Sequence, residues 1–131
     1  MDWLFIVKPA DASAGGGSAA KDRMLALAET SPRREWCLSR RRRMAPGDRL
    51  WIYFASPVQQ IAAVAEIEDE PYEVGGSPRQ PWRFTATLNP AATRRLHCDP
   101  VPLHALSNRN PQGVTRVRDG DVGLLLDHAG L

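Results

Sequence analysis

What this chain of 131 residues has little of closes several explanations before anything else is read. There are two cysteines, Cys37 and Cys98, far apart and with neither a CxxC nor a Cys/His ligand spacing. A disulfide framework and a structural zinc are therefore not expected, and a reduced, cytoplasmic setting is the default expectation. Long apolar runs are missing too. Ahead of Lys8-Pro9 the apolar stretch is Trp3 to Val7 alone, too short for a signal peptide or a membrane span, so no membrane partner is expected. The histidines, His97, His104 and His128, never stand at metal-ligand spacing from one another. No GxSxG, HExxH or paired-glycine phosphate cradle occurs, and there are no internal repeats. GGGSAAKD at 15–22 has Ala20 where a phosphate-binding loop needs its last glycine. Asp22 replaces the Ser/Thr that would hold magnesium, so the stretch reads as a linker. His97-Cys98-Asp99 puts three reactive types in a row, but neighbours in sequence face different ways, and a loop is expected there.

What is present is ordinary for a single globular domain over 1–131, with 43% hydrophobic and 24% charged residues. The chain is organised around 46–67, PGDRLWIYFASPVQQIAAVAEI. A Pro-Gly-Asp turn launches the apolar run Leu50 to Ala55, Ser56-Pro57 breaks it, and Ile61 to Ile67 returns. That is the form of a hairpin. Trp51 and Tyr53 occupy one face, Leu50, Ile52 and Phe54 the other, so both faces need cover and the hairpin belongs in a closed or wrapped sheet. Ala62, Ala63 and Ala65 leave room beside the aromatics, which means either a ligand cavity or tight packing.

Around this hairpin, residues 3–8 read as a first strand ending at Pro9 and 11–20 as a small-residue loop. Lys21 to Glu29 reads as a helix stopped by Thr30-Ser31-Pro32. Trp36-Cys37-Leu38 is a short run between arginines, and 70–78 an exposed excursion. Trp82, Phe84, Ala86 and Leu88 alternate with polar neighbours as a half-buried strand that Asn89-Pro90 ends. Val101 to Leu106 is a short strand or helical turn, 107–113 a polar loop, and 113–117 a last strand. Asp119-Gly120-Asp121 opens a C-terminal helix over 122–127, its acids where the helix dipole favours them. Five or six strands with a helix early and a helix late fit a small mixed barrel.

Charge distribution is more telling than the net +2. Seven arginines lie between Arg33 and Arg49 against Glu35 and Asp48, and 40–43 are four in a row. Such a face is able to hold phosphates. Arginine outnumbers lysine fifteen to two, which codon bias in a GC-rich genome also produces. Trp36 and Trp82 are interleaved with arginines, the composition of a single-strand or flipped-base site. For Trp82 the alternation argues core; Trp36 interrupts a polar stretch, and both a core and a base-stacking role stand open.

The order of these pieces resembles the EVE family of the PUA-like superfamily, which also holds the YTH and ASCH domains. The pieces are WLFIVKP at 3–9, Trp36, MAPGDRLWIYFASP at 44–57 and IAAVAEIEDEPYEV at 61–74. PWRFTATL at 81–88, VPLHAL at 101–106 and GVTRVRDGDVGLLL at 113–126 complete the series. The resemblance implies an α+β, mainly β fold, a mixed five- to six-stranded pseudo-barrel with flanking helices. It also implies a pocket for a nucleobase, often a modified one, in RNA or DNA, with no cofactor. Trp36 would stack on the base, Lys8 would face the pocket rim, and Ser56 would offer a hydrogen bond. Ser39 falls in the same pocket, and Arg33, Arg34, Arg40, Arg41, Arg42 and Arg43 would take flanking phosphates. The chain departs from the family where Cys37-Leu38-Ser39-Arg40 replaces a Gly-Val-Arg-Asn-like stretch, and where the first strand lacks an acidic residue before proline. The ASCH signature of Gly, Lys, Glu and Arg before the Gly-Asp strand is absent, which argues against amidohydrolase-type activity. The leading expectation is a non-enzymatic reader. A small enzyme using the same cavity, with Lys8 or a histidine as base, and an interaction domain with a collapsed pocket are the alternatives.

Overall fold

The computed structural model describes residues 1–8, 18–76 and 78–131. The expected stop at Pro9, the glycine-rich part of the linker and Ser77 lie outside the described residues. In chain order the elements are β1 (Asp2–Val7), α1 (Ser18–Thr30), β2 (Arg33–Leu38), β3 (Arg49–Phe54), β4 (Gln60–Ile67) and β5 (Tyr72–Glu73). Then come β6 (Trp82–Leu88), α2 (Pro90–Cys98), β7 (Val101–Pro102), a 3-10 turn (Leu103–Ala105), β8 (Val114–Arg116) and α3 (Asp119–Ala129). The main sheet runs β2-β6-β4-β3-β1-β8, with β5 added to β6 and β7 to β4. β1 pairs with β3 in parallel and the other neighbours are antiparallel, giving a mixed six-stranded half-barrel with three α-helices.

The expected hairpin is β3–β4, and it is greasy on both faces for the reason anticipated. Leu50, Ile52 and Phe54 join Trp3, Trp36, Leu38, Phe84, Ala86 and Leu88 in one core, closed by the curl of the sheet and by α1. Trp51, Tyr53, Ile61 and Val64 join Leu96, Val101, Leu106 and Leu125 in a second core under α2, β7 and α3. The pairing slips between Ile52 and Tyr53: Ile52 faces Ala63 while Tyr53 faces Ile61, leaving Ala62 as an extra residue in β4. Such a bulge bends and twists a strand, and here it lets Ala62 and Ala63 share one core.

The Pro-Gly-Asp turn that launches β3 needs its glycine, since Gly47 has φ of 92°. Asp48, which follows, is buried and accepts from the Trp3 indole Nε1 at 3.0 Å and from the Ala45 N–H at 3.0 Å. Asp2 plays the same part for Trp51, accepting its Nε1 at 2.7 Å while Arg49 Nε donates to it at 2.8 Å. Two carboxylates thus hold two tryptophans by their polar edges, one in each core.

The helices exceed the expectation. α1 begins at Ser18, so residues 18–20 of the expected loop are its first turn. Where a loop was expected around His97-Cys98-Asp99, α2 runs through His97 and Cys98. Asn89-Pro90 does end β6, and it also starts α2: the Asn89 side chain caps the Ala92 N–H at 3.0 Å and Pro90 takes the first turn. On its free edge β4 pairs with β6 at Ala65–Ile67 and with β7 at Gln60–Ile61. Between these, the Val64 carbonyl accepts from the Asn89 N–H at 2.9 Å, and Val64 N–H and O meet Thr93 Oγ1 at 3.4 Å. α2 therefore plugs the gap in the ladder. The expected excursion at 70–78 contains β5, whose Tyr72 donates to Glu35 at 2.9 Å.

Candidate functional site

Two clefts flank the C-terminal end of β1 and share Ile6, Lys8 and Gly113 on the ridge between them. The first, of about 470 Å³, opens over the second core. Its floor is apolar, made of Ile6, Tyr53, Ala55 and Leu103, and Ser56, Gln59, Asn110, Gln112, Lys8 and Arg109 surround it. The second, of about 450 Å³, opens over the first core beside Phe5, Leu38 and Val114, with Lys8, Ser39, Arg40, Arg42, Arg79 and Gln80 around it. Both volumes lie in the range that holds small ligands.

Local structure explains why these side chains gather. β1 and β3 run parallel, so their C-terminal ends, Lys8 and Ala55-Ser56, come out together. The β3–β4 turn follows, with Gln59 at φ of 51°, a left-handed conformation uncommon for a residue other than glycine. The 107–113 loop then crosses above before β8 pairs with β1. Arg109, which lines the first cleft, donates from Nε to the Leu106 carbonyl at 3.2 Å, and Arg42 Nε donates to the Val114 carbonyl at 2.8 Å. Among the described residues neither lining contains Asp or Glu, and no carboxylate comes within ion-pair distance of Arg40, Arg41, Arg42 or Arg43.

Of the side chains expected at a site, Lys8, Ser39, Arg40 and Arg42 meet in the second cleft, and Lys8 and Ser56 in the first. Arg33 and Arg34 do not join them. They sit at the other end of β2, where Arg33 pairs with Glu68 at 2.7 Å. Arg41 and Arg43 are exposed outside both linings, and the Arg41 guanidinium lies 5.9 Å from the centre of the Trp82 ring, within cation–π reach.

An exposed Trp36 as the wall of a base pocket is corrected by the structure. Trp36 is 8% exposed and lines neither cleft. Phe5 meets it edge-on at 5.2 Å between ring centres, and Phe84 lies near-parallel at 6.5 Å. The reason is strand alternation: Trp36 and Leu38 take the inward face of β2 and Glu35 and Cys37 the other, so a polar stretch carries a core indole. The aromatic of the first cleft is instead Tyr53, placed on the opposite face from Phe54 by the same alternation. Its burial pushes the phenol above its ordinary value, so it stays protonated. Arg109 was missed as well, and Arg79 was noted only as a neighbour of Trp82. Both stand in Pro- or Asn-flanked loops, where the only signal was a cation in a turn-rich stretch.

The histidines lie elsewhere. His97 Nε2 is 2.7 Å from Asp22 Oδ1, His128 Nδ1 is 2.9 Å from the Asp99 carbonyl, and His104 is on the 3-10 turn. Among the described residues no cluster of three or more His, Cys, Asp or Glu could hold a metal ion, and no helix is long and apolar enough to cross a membrane.

The mixed six-stranded half-barrel with its three helices is PUA-like in fold. Among solved structures the chain is similar to protein Rpa0253 of Rhodopseudomonas palustris, at 18% identity over 98% of this chain and 92% of that one, with a TM-score of 0.60. It is also similar to protein Atu2648 of Agrobacterium tumefaciens, at 16% identity over 99% and 93%, with a TM-score of 0.60. A single-site variant of the ASCH protein of Zymomonas mobilis matches at 17% identity over 96% and 94%, with a TM-score of 0.54. At these identities the likeness concerns the fold alone. No protein-family model matches the chain, and no curated protein does.

Proposed function

We propose that this domain binds nucleic acid without catalysing a reaction, seating one base, often a modified one, in the Tyr53 cleft and its flanking phosphates in the arginine cleft. The observation that carries this is the charge of the paired clefts: Lys8, Arg40, Arg42, Arg79 and Arg109 line them, and among the described residues no carboxylate does. Such a groove favours a polyanion, and an apolar floor beside it suits the flat face of a base. The PUA-like fold fits the same reading, as does the resemblance of the hairpin and the Pro-Trp strand to EVE domains. Lys8, the base the enzymatic alternative would use, lines both clefts, so the test includes turnover.

The test is charge reversal at two exposed positions, Arg40→Glu and Arg79→Glu, read by fluorescence anisotropy with labelled single-stranded RNA and DNA. Affinity is expected to fall about tenfold or more for the pair, by a similar factor for every sequence, because phosphate contacts carry no sequence information. Variants that bind like the parent would overturn the reading, and so would release of a product from a nucleoside or oligonucleotide on prolonged incubation.

A further inference from the structure

Tyr53 is the most deeply set polar group in either cleft. The residue is 5% exposed, yet it lines the first cleft. No described residue hydrogen-bonds its hydroxyl, and among the described residues no side-chain oxygen sealed from solvent lacks a partner, so this hydroxyl keeps contact with solvent. The Trp3 and Trp51 indoles, by contrast, each reach an aspartate. Tyr53 has no such carboxylate, and the cleft it lines is the route by which a ligand would meet it. The surrounding charge is one-sided, with Lys8 and Arg109 as donors and no Asp or Glu. A donor-rich pocket favours a ligand edge rich in acceptors.

We propose that Tyr53 is the specificity-determining residue of the first cleft, its hydroxyl donating to an exocyclic carbonyl oxygen so that keto bases of the uracil type are chosen over amino bases of the cytosine type. The inference rests on the base-binding reading above. Burial keeps the phenol protonated, so the donor persists throughout the neutral range. The bulge at Ala62 contributes by turning the end of β3 where Tyr53 stands. A cytosine-type edge would present an amino donor at position 4, which Lys8 and Arg109 cannot accept. Tyr53, Ser56, Gln59, Asn110 and Gln112 can accept as well as donate, so the selectivity rests on the two cations beside the hydroxyl.

Uracil and cytosine differ at position 4, carbonyl against amino, and make the probe. The full chain and its Tyr53→Phe variant are titrated with oligouridylate and oligocytidylate of equal length, and with free uridine and cytidine. The parent is expected to prefer the uracil ligand by about tenfold, the range of one good base contact. Tyr53→Phe is expected to abolish the preference by weakening uracil binding alone, with a melting temperature close to the parent's, because no partner among the described residues is lost. A parent without the preference, or a variant that keeps it, overturns the inference. If free uridine shows the Tyr53-dependent preference while oligonucleotides bind no better, the cleft takes free nucleosides: the inference stands and the nucleic-acid reading falls. If oligonucleotides bind in an Arg40- and Arg79-dependent way with no discrimination, the reverse holds.

Discussion

Asp48 shows how much one side chain can organise. Burial opposes its ionisation, but the N–H donors of Trp3 and Ala45 and the terminal ammonium outweigh that cost and hold the carboxyl below its ordinary value. Because the folded value lies under the unfolded one, near 3.9, ionised Asp48 contributes stability that is complete above that value. The contribution is lost as pH falls through the folded one. Thermal unfolding followed from pH 5 downward should therefore drop more steeply for the parent than for Asp48→Asn, and parallel curves would dismiss the role. Trp36 makes the opposite point, since its indole serves the core. Trp36→Ala should cost about 3–5 kcal/mol in urea unfolding, the usual cost of a large aromatic truncated in a core. A cost within about 0.5 kcal/mol would mean that the ring is at the surface after all.

At the level of elements, α2 is where sheet and helix become one unit. Thr93 is fully buried and stands beside both backbone groups of Val64, at the point where β4 has no strand partner on that side. Thr93→Val keeps the shape and removes the hydroxyl, leaving the Val64 N–H without its acceptor. The change should cost about 1–3 kcal/mol, and hydrogen exchange at the Val64 amide should accelerate well beyond that of its neighbours. Exchange unchanged at Val64 would show that water, not α2, satisfies the edge. The same region marks what was hard to read in advance. Asn89-Pro90 was legible as a strand stop, but a stop and a helix start use the same residues, and Arg94, Arg95 and His97 hid the apolar stripe of Ala92 and Leu96. In α1, by contrast, Met24, Leu25, Leu27 and Ala28 read as partly on one face, and of these Met24, Leu27 and Ala28 pack into the first core.

For the molecule as a whole, the proposed attraction for a polyanion would not come from a net charge of +2. It would come from where the charges lie. Arg33, Arg49, Arg83 and Arg94 are each paired with a carboxylate, whereas the arginines of 40–43 are not, among the described residues. Local unpaired cations should give binding that weakens linearly in log-log form as salt rises, with a slope of about −0.7 per phosphate neutralised on a single strand. The Arg40→Glu, Arg79→Glu variant should flatten that slope. An equal slope in both proteins would place the contact elsewhere on the surface.

Periodicity and turn chemistry settled a good deal from the sequence: a hairpin with two apolar faces, the alternation of β6, the Gly47-Asp48 turn, and a run of arginines without acids beside it. These are local properties, and a strand carries them wherever it is placed. Which aromatic would line a cleft was not local. Trp36 in its polar stretch looked available until β6 brought Phe84 against it and β1 brought Phe5. Tyr53 is a member of the second core that also lines a cleft, left where β1 pairs in parallel with β3 and 107–113 crosses. Sequence spacing tells which side of a strand a residue takes; only the curl of the sheet decides whether that side meets another wall or open space.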